Sequence, residues 1–192
     1  MADKTDIPDE IVIVLRDLLQ WLEATKTPYV TIGGVGISLL AGARTTQDVD
    51  AVLWLDTEKL ESFIETGAAH NLFPRISDAP DFARRNRVIL LQHSPTGINV
   101  DLSCGTLPFE DEMIARARTL IIGSLKIRVA TPEDMIITKA VAHRPKDFAD
   151  IEAILNIEPN LDLERVRRWV GQFAEALEMP ELLDDLEKIL SR

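Results

Sequence analysis

Cysteine is almost absent from this chain: among 192 residues only Cys104 occurs. A single thiol excludes a disulfide framework and a cysteine-based zinc site. Cys104 has no histidine or other base close in sequence and stands next to Gly105, so it is expected to be a buried, inert thiol rather than a nucleophile. Histidine is scarce too. His70, His93 and His143 are the whole complement, which disfavours a histidine-rich metal centre. Positive charge is in deficit, with 21 Lys+Arg against 32 Asp+Glu and a formal net charge of −11. That balance excludes a globally basic nucleic-acid binder and a polybasic membrane-surface protein. No apolar run approaches the ~18 residues of a membrane span. The first six residues are polar and acidic, unlike a signal peptide, and the expected location is a reducing cytoplasm.

What is present suits a globular protein. Hydrophobic residues make up 46% and charged residues 28%, in a chain long enough to bury a core without staples. No internal repeat or low-complexity tract occurs. Ile11, Val14, Leu15, Leu18, Leu19 and Leu22 recur at helical spacing and predict a helix over 8–25, with Pro8 in its first turn. Tyr29–Ile32 reads as a strand ending at Gly33-Gly34, and a short helix is expected from Val35. Asp48–Leu55 reads as a second strand, with Asp56 as N-cap of a helix over 57–69. Residues 74–86 show no regular pattern. Arg87–His93, Ser94-Pro95-Thr96-Gly97 and Ile98–Leu102 form a hairpin pattern. A helix over 108–117 and two short strands around Gly123-Ser124 follow. Thr131-Pro132-Glu133-Asp134 opens a helical region, which Pro145, Pro159 and Pro180 divide into about four helices. Trp21, Trp54 and Trp169 lie on apolar stripes and are expected in the core. These elements predict an α+β fold: a mixed sheet flanked by helices over 1–130, then a C-terminal helical bundle over 131–192.

Three carboxylates stand out. Asp48-Val49-Asp50 opens a predicted strand, so both aspartates face the same way, about 7 Å apart at Cα. Like charges on one strand face repel, and a divalent cation would relieve that; Mg²⁺, a hard ion, takes a few carboxylates together with phosphate oxygens. The alternative is a solvated strand start. Asp101 lies within an otherwise apolar strand beside Asn99 and needs a partner or solvent. The turn Ile32-Gly33-Gly34-Val35-Gly36 lets backbone amides approach a phosphate at a helix start. It is neither a Walker loop nor a dinucleotide fingerprint, and a plain tight turn is the bland reading. Lys139 lies on the helix after Pro132, and a solvated helix face is its competing role. Arg84, Arg85 and Arg87 form the densest basic cluster. Asp147 and Asp150 share a helix face, so they can hold Arg144 or Lys146.

Taken together, Gly33-Gly34, then Arg44-Thr45-Thr46-Gln47-Asp48-Val49-Asp50, then Asp101 resemble the nucleotidyltransferase superfamily with the DNA polymerase β-like fold. The Arg-x-Thr-x-Asp-x-Asp form is most similar to AbiEii-type toxin nucleotidyltransferases and related minimal members. The later series Pro132-Glu133-Asp134, Lys139, Arg144 and Lys146-Asp147-Phe148-Ala149-Asp150 resembles the same group. The likeness spans residues 29 to about 155. Gly34 departs from it, standing where many active relatives carry serine, and residues 160–192 match nothing in it.

The resemblance implies an enzyme that moves a nucleoside monophosphate from an NTP to an acceptor, either RNA such as tRNA or a protein hydroxyl. Asp48, Asp50 and Asp101 would hold Mg²⁺, with Asp101 also assisting the attacking hydroxyl. Gly33, Gly34, Arg44, Thr46 and Lys139 would contact the nucleotide. A toxin–antitoxin or phage-defence setting, with an antitoxin protein as partner, is its natural context. The competing reading is a non-catalytic nucleotide- or partner-binding protein that keeps the fold. Charge bears on the acceptor. Residues 1–32 carry six acidic and three basic side chains and residues 151–192 carry ten and five, which leaves 33–150 at a net of −3. RNA would then need a local patch such as Arg84–Arg87, and a small or protein acceptor competes with tRNA.

Overall fold

The computed structural model describes residues 7–42 and 46–191. The chain divides into two compact units, residues 1–130 and 131–192.

The first unit begins with α1 (Asp9–Ala24), where Pro8 is the N-cap rather than a first-turn residue. Its stripe of Ile11, Val14, Leu15, Leu18, Trp21 and Leu22 is wholly buried. At about 1.5–3 kcal/mol per buried large apolar side chain, this face holds the helix in place far more firmly than propensity could. Then come β1 (Tyr29–Ile32), α2 (Gly33–Ala41) and β2 (Asp48–Leu53). The helix after Asp56 forms in three parts: a 3₁₀ turn over Thr57–Lys59, α3 (Leu60–Thr66) and a second 3₁₀ turn over Gly67–His70. Asp56 caps it as expected, its carboxylate accepting the Glu58 N–H at 3.0 Å. β3 (Leu72–Pro74) is followed by α4 (Ala79–Asn86), and β4 (Val88–His93) and β5 (Asn99–Cys104) form the predicted hairpin. α5 (Pro108–Arg116), β6 (Arg118–Ile122) and β7 (Leu125–Val129) complete the unit.

One expectation fails here. Residues 79–86, which carry no regular sequence pattern, form α4. Pro80 sits in its first turn, where a missing N–H costs nothing, and only Ala79 and Ala83 are buried, too small a face to register as periodic.

The seven strands form one mixed sheet in the order β3-β4-β5-β2-β1-β7-β6. β2 runs parallel to β5 and β1 parallel to β7, while the other neighbours are antiparallel. Val49, Ala51 and Leu53 of β2, with Val100 and Leu102 of β5, point into the core that holds the α1 stripe. Trp21 anchors it by stacking on Phe63 at 4.2 Å and donating its indole N–H to Thr66 Oγ1 at 2.9 Å. Trp54, just past β2, lies outside the core and is 40% exposed, contrary to expectation. Alternation along β2 breaks down at Val52 and Leu53, which are both buried, so the apolar pattern there does not specify a face.

The second unit holds α6 (Pro132–Ala142), α7 (Pro145–Ile157), α8 (Leu163–Ala176) and α9 (Glu181–Leu190). The Thr131 hydroxyl accepts the Asp134 N–H at 3.2 Å, the predicted cap. Ile136, Ile137, Ile151, Ile154, Val166, Val170, Leu182 and Leu186 are buried. Arg165 reaches Asp134 through Nε at 3.0 Å and Nη2 at 2.8 Å, both side chains nearly inaccessible. Trp169 is partly buried near Phe173. Among the described residues, no helix is long and apolar enough to cross a membrane.

Candidate active site

The parallel pairing of β2 with β5 assembles the acidic face. Its register sets Asp48 opposite Asn99 and Asp50 opposite Asp101. Neighbouring strands lie about 4.8 Å apart, so carboxylates 51 residues apart in sequence become lateral neighbours. The intervening Val49, Val100, Ala51 and Leu102 all enter the core. Burial of that face forces the three aspartates and Asn99 onto the other one.

Gly33 meets this face from β1. Ile32, the last residue of β1, pairs with Asp50, and the chain turns at once into α2. Gly33 has φ +62°, and a Cβ there would lie 2.7 Å from Asp50 Cγ and 2.8 Å from its Cβ. Both backbone conformation and space therefore require glycine, and the start of α2 rests against the Asp50 side chain. Gly34 is buried within the first turn of α2, and its carbonyl accepts the Ser38 hydroxyl at 2.9 Å. The helix thus starts at the glycines, two residues earlier than its apolar residues indicate.

Arg75 is a site residue that sequence reasoning missed. It follows β3, and its N–H donates to the carbonyl of Leu90 at 3.0 Å. Leu90 is the register partner of Asp101, and the Arg75 guanidinium forms an ion pair with the Asp101 carboxylate. No local pattern marks Arg75; the pairing of β3 with β4 and of β4 with β5 places it there. Burial pushes the Asp101 carboxyl above its usual range, Arg75 pulls it back in part, and the charge of Asp48 pushes it up again. Among the described residues, no three histidine, cysteine or acidic side chains stand close enough together to ligate one metal ion.

The other expected site residues are placed as follows. The Thr46 hydroxyl donates to the Asp48 carbonyl at 3.0 Å and lies 3.4 Å from the Asp48 N–H, so it braces the start of β2. Arg44 lies outside the described residues. Lys139 belongs to the second unit, where its ammonium is 3.0 Å from Asp147 Oδ1 and 2.7 Å from Asp150 Oδ2, nearly inaccessible to solvent. Asp147 also accepts Arg144 Nε at 2.6 Å and the Arg144 N–H at 3.2 Å. Burial raises the Asp147 carboxyl, but hydrogen bonds from Arg144 and Lys139 outweigh it and hold the group below its ordinary value. The cluster Arg84, Arg85, Arg87 is taken up by carboxylates: Asp81 at 2.7 Å, Asp78 at 3.2 Å and Glu110 at 3.6 Å respectively. Cys104 is buried, and burial pushes its thiol up to about 11.

Comparison with known proteins places this geometry. Residues 10–181 match the model of a family described as nucleotidyltransferase of unknown function, DUF6036. The antibiotic-resistance factor ANT(2'')-Ia, in its solution structure, is similar over 91% of this chain and 97% of its own, with TM-score 0.59 and 16% identity. An antigenic nucleotidyltransferase-like protein from Paracoccidioides brasiliensis is similar over 91% of each chain, with TM-score 0.55 and 17% identity. The lincosamide antibiotic adenylyltransferase LnuA, with lincomycin bound, is similar over 76% of this chain and 96% of its own, with TM-score 0.53 and 17% identity. These likenesses show a shared fold. No curated protein is significantly similar in sequence. The family match covers most of the chain, which therefore belongs to the DUF6036 nucleotidyltransferases.

Proposed function

We propose that this DUF6036 nucleotidyltransferase moves a nucleoside monophosphate from an NTP to an acceptor hydroxyl, at the face formed by Asp48, Asp50 and Asp101. The observation that carries the reading is the β2–β5 register, which gathers these carboxylates beside the Gly33 turn. Their oxygen donors suit Mg²⁺. Mg²⁺ held by Asp48 and Asp50, with Asp101 completing a second site rather than joining them on one ion, would offset charge on the triphosphate and on the leaving pyrophosphate. Asp101 takes the proton of the acceptor hydroxyl. The new bond forms between that oxygen and the α-phosphorus, and the bond to the bridging oxygen breaks as pyrophosphate leaves. Gly33 and Gly34 present backbone rather than side chains to the phosphates. Thr46 fixes the start of β2, and Arg44 is the proposed cationic contact to the nucleotide; Lys139, buried against Asp147 and Asp150 in the second unit, is held there instead.

The acceptor is RNA, such as tRNA, or a protein hydroxyl, in a toxin–antitoxin or phage-defence setting like that of the AbiEii-type enzymes. A small hydroxylated acceptor competes. It is supported by the likeness to an adenylyltransferase of lincosamides and to ANT(2'')-Ia, which has been seen with adenylyl-2''-tobramycin. The pairing of Arg84, Arg85 and Arg87 with carboxylates also removes the basic patch that RNA would have used there.

The test incubates the purified chain and Mg²⁺ with each labelled NTP and, separately, bulk tRNA, cell proteins and aminoglycosides. One acceptor class becomes labelled, and Asp48→Asn and Asp50→Asn abolish the labelling. Absence of labelling in every arm, or unchanged labelling by both variants, overturns the proposal. A second reading, nucleotide binding without transfer, is favoured by the Arg75–Asp101 ion pair, an internal counter-ion on the third carboxylate. NTP binding that is indifferent to Mg²⁺ and to Asp101→Asn, with no transfer, supports it.

A further inference from the structure

A cleft of about 760 Å³ opens in the first unit between α1, the start of β1, the end of α5 and the β6–β7 hairpin. Arg16, Lys26, Lys126 and Arg128 line it, and Glu23 is its one carboxylate. In a chain of net charge −11 this local excess of cations is conspicuous. Among the described residues none of the four is in an ion pair, whereas Arg75, Arg84, Arg85, Arg87, Arg165 and Arg167 each hold a carboxylate. Arg128 shows the arrangement most clearly. Its Nε donates to the Tyr29 carbonyl at 3.3 Å and its Nη2 to the Ile114 carbonyl at 2.5 Å. Neutral oxygens thus fix the guanidinium in place and leave its charge uncompensated. Leu19, Leu22, Ile114 and Leu125 give the lining its apolar part.

The cleft is separate from the acidic face. Tyr29 opens β1 and Ile32 closes it; Leu53 pairs with Tyr29 and Asp50 with Ile32. Three residues of strand are about 10 Å. Tyr29 also shares the face of Thr31, whose partner is Ala51, on the core side of β2 and opposite to Asp50.

We infer that this cleft binds a small organic polyphosphate, of the size and charge of a nucleoside di- or triphosphate, independently of divalent metal. The volume lies in the range of about 300–1,000 Å³ that holds such ligands. A lining that combines cations with apolar side chains recognises an anion that carries an organic group. A nucleic-acid strand fits less well. The surface is concave rather than a stripe, Tyr29 is its one aromatic residue, and the overall negative charge repels a long polyanion before contact.

Calorimetry on the full chain in EDTA tests this, with inorganic tripolyphosphate and ATP as separate probes. ATP binds at least tenfold more tightly than tripolyphosphate, and its affinity falls at least tenfold in Lys26→Ala/Lys126→Ala, two exposed positions. In Asp48→Asn/Asp50→Asn, a pair on the other face, its affinity is unchanged. The proposal is overturned by any of four results: no binding of either probe at millimolar concentration; equal affinity for the two; undiminished binding in the lysine variant; or loss of binding in the aspartate variant. Binding of a single-stranded RNA that ATP fails to displace assigns the cleft to nucleic acid and overturns it as well. The proposed transfer reaction plays no part in this readout, so either conclusion can fail alone.

Discussion

Gly33→Ala should uncouple the start of α2 from β2. An alanine at φ +62° costs about 1–2 kcal/mol in backbone conformation alone. Its Cβ would also lie 2.7 Å from Asp50 Cγ and 2.8 Å from Asp50 Cβ, closer than real contacts allow, so one of the two chains must shift. Forced overpacking of this kind adds about 1–3 kcal/mol, for a total loss of about 2–5 kcal/mol. Urea unfolding followed by far-ultraviolet circular dichroism measures it. The decisive control repeats the substitution in an Asp50→Gly background, which removes the atoms the methyl would strike. There the cost of Gly33→Ala falls to the backbone term of about 1–2 kcal/mol, and the difference of about 1–3 kcal/mol is the coupling between the two positions. An equal cost in both backgrounds would refute the close approach as the reason for glycine at 33.

Four further outcomes are expected. Arg75→Gln removes the cation that lowers Asp101, so the Asp101 carboxyl titrates at higher pH than in the wild type, measurable by carbon-13 NMR of the aspartate side chains. Lys139→Met leaves Asp147 and Asp150 buried without their ammonium and costs about 3–5 kcal/mol in unfolding free energy, of which Asp147→Asn/Asp150→Asn in the same chain restores part. Asp147 has a folded pKa below its unfolded one. Its contribution is present at neutral pH, above the ordinary carboxylate range, and is lost as pH falls through that range toward the folded value; unfolding midpoints at pH 7 and pH 3 check the sign. Cys104, buried with its thiol pushed up to about 11, resists iodoacetamide at pH 8 in the folded chain and reacts once urea unfolds it.

Much of the architecture is legible in local pattern. The α1 stripe, the β4–β5 hairpin, the Asp56 and Thr131 caps and the proline-divided C-terminal helices all follow from spacing and cap chemistry over a few residues. α4 escaped because two buried alanines make too narrow an apolar face. Trp54 misled because a large aromatic next to a buried strand looks like core, and only packing decides which way the chain turns after Leu53.

The acidic face divides along the same line. The sequence by itself determined that Asp48 and Asp50 point the same way, since alternation in a strand is a local property, and that Gly33 and Gly34 can approach a neighbour closely. Tertiary structure alone decided that Asp101 stands beside Asp50, that Arg75 reaches Asp101, and that Arg16, Lys26, Lys126 and Arg128 converge on one cleft without carboxylate partners. The physical reason is the reach of each interaction. Backbone geometry and capping act over three or four residues and leave their mark in spacing, whereas strand register is settled by which faces are buried together. That burial brings side chains tens of residues apart into contact with no periodic trace in the chain.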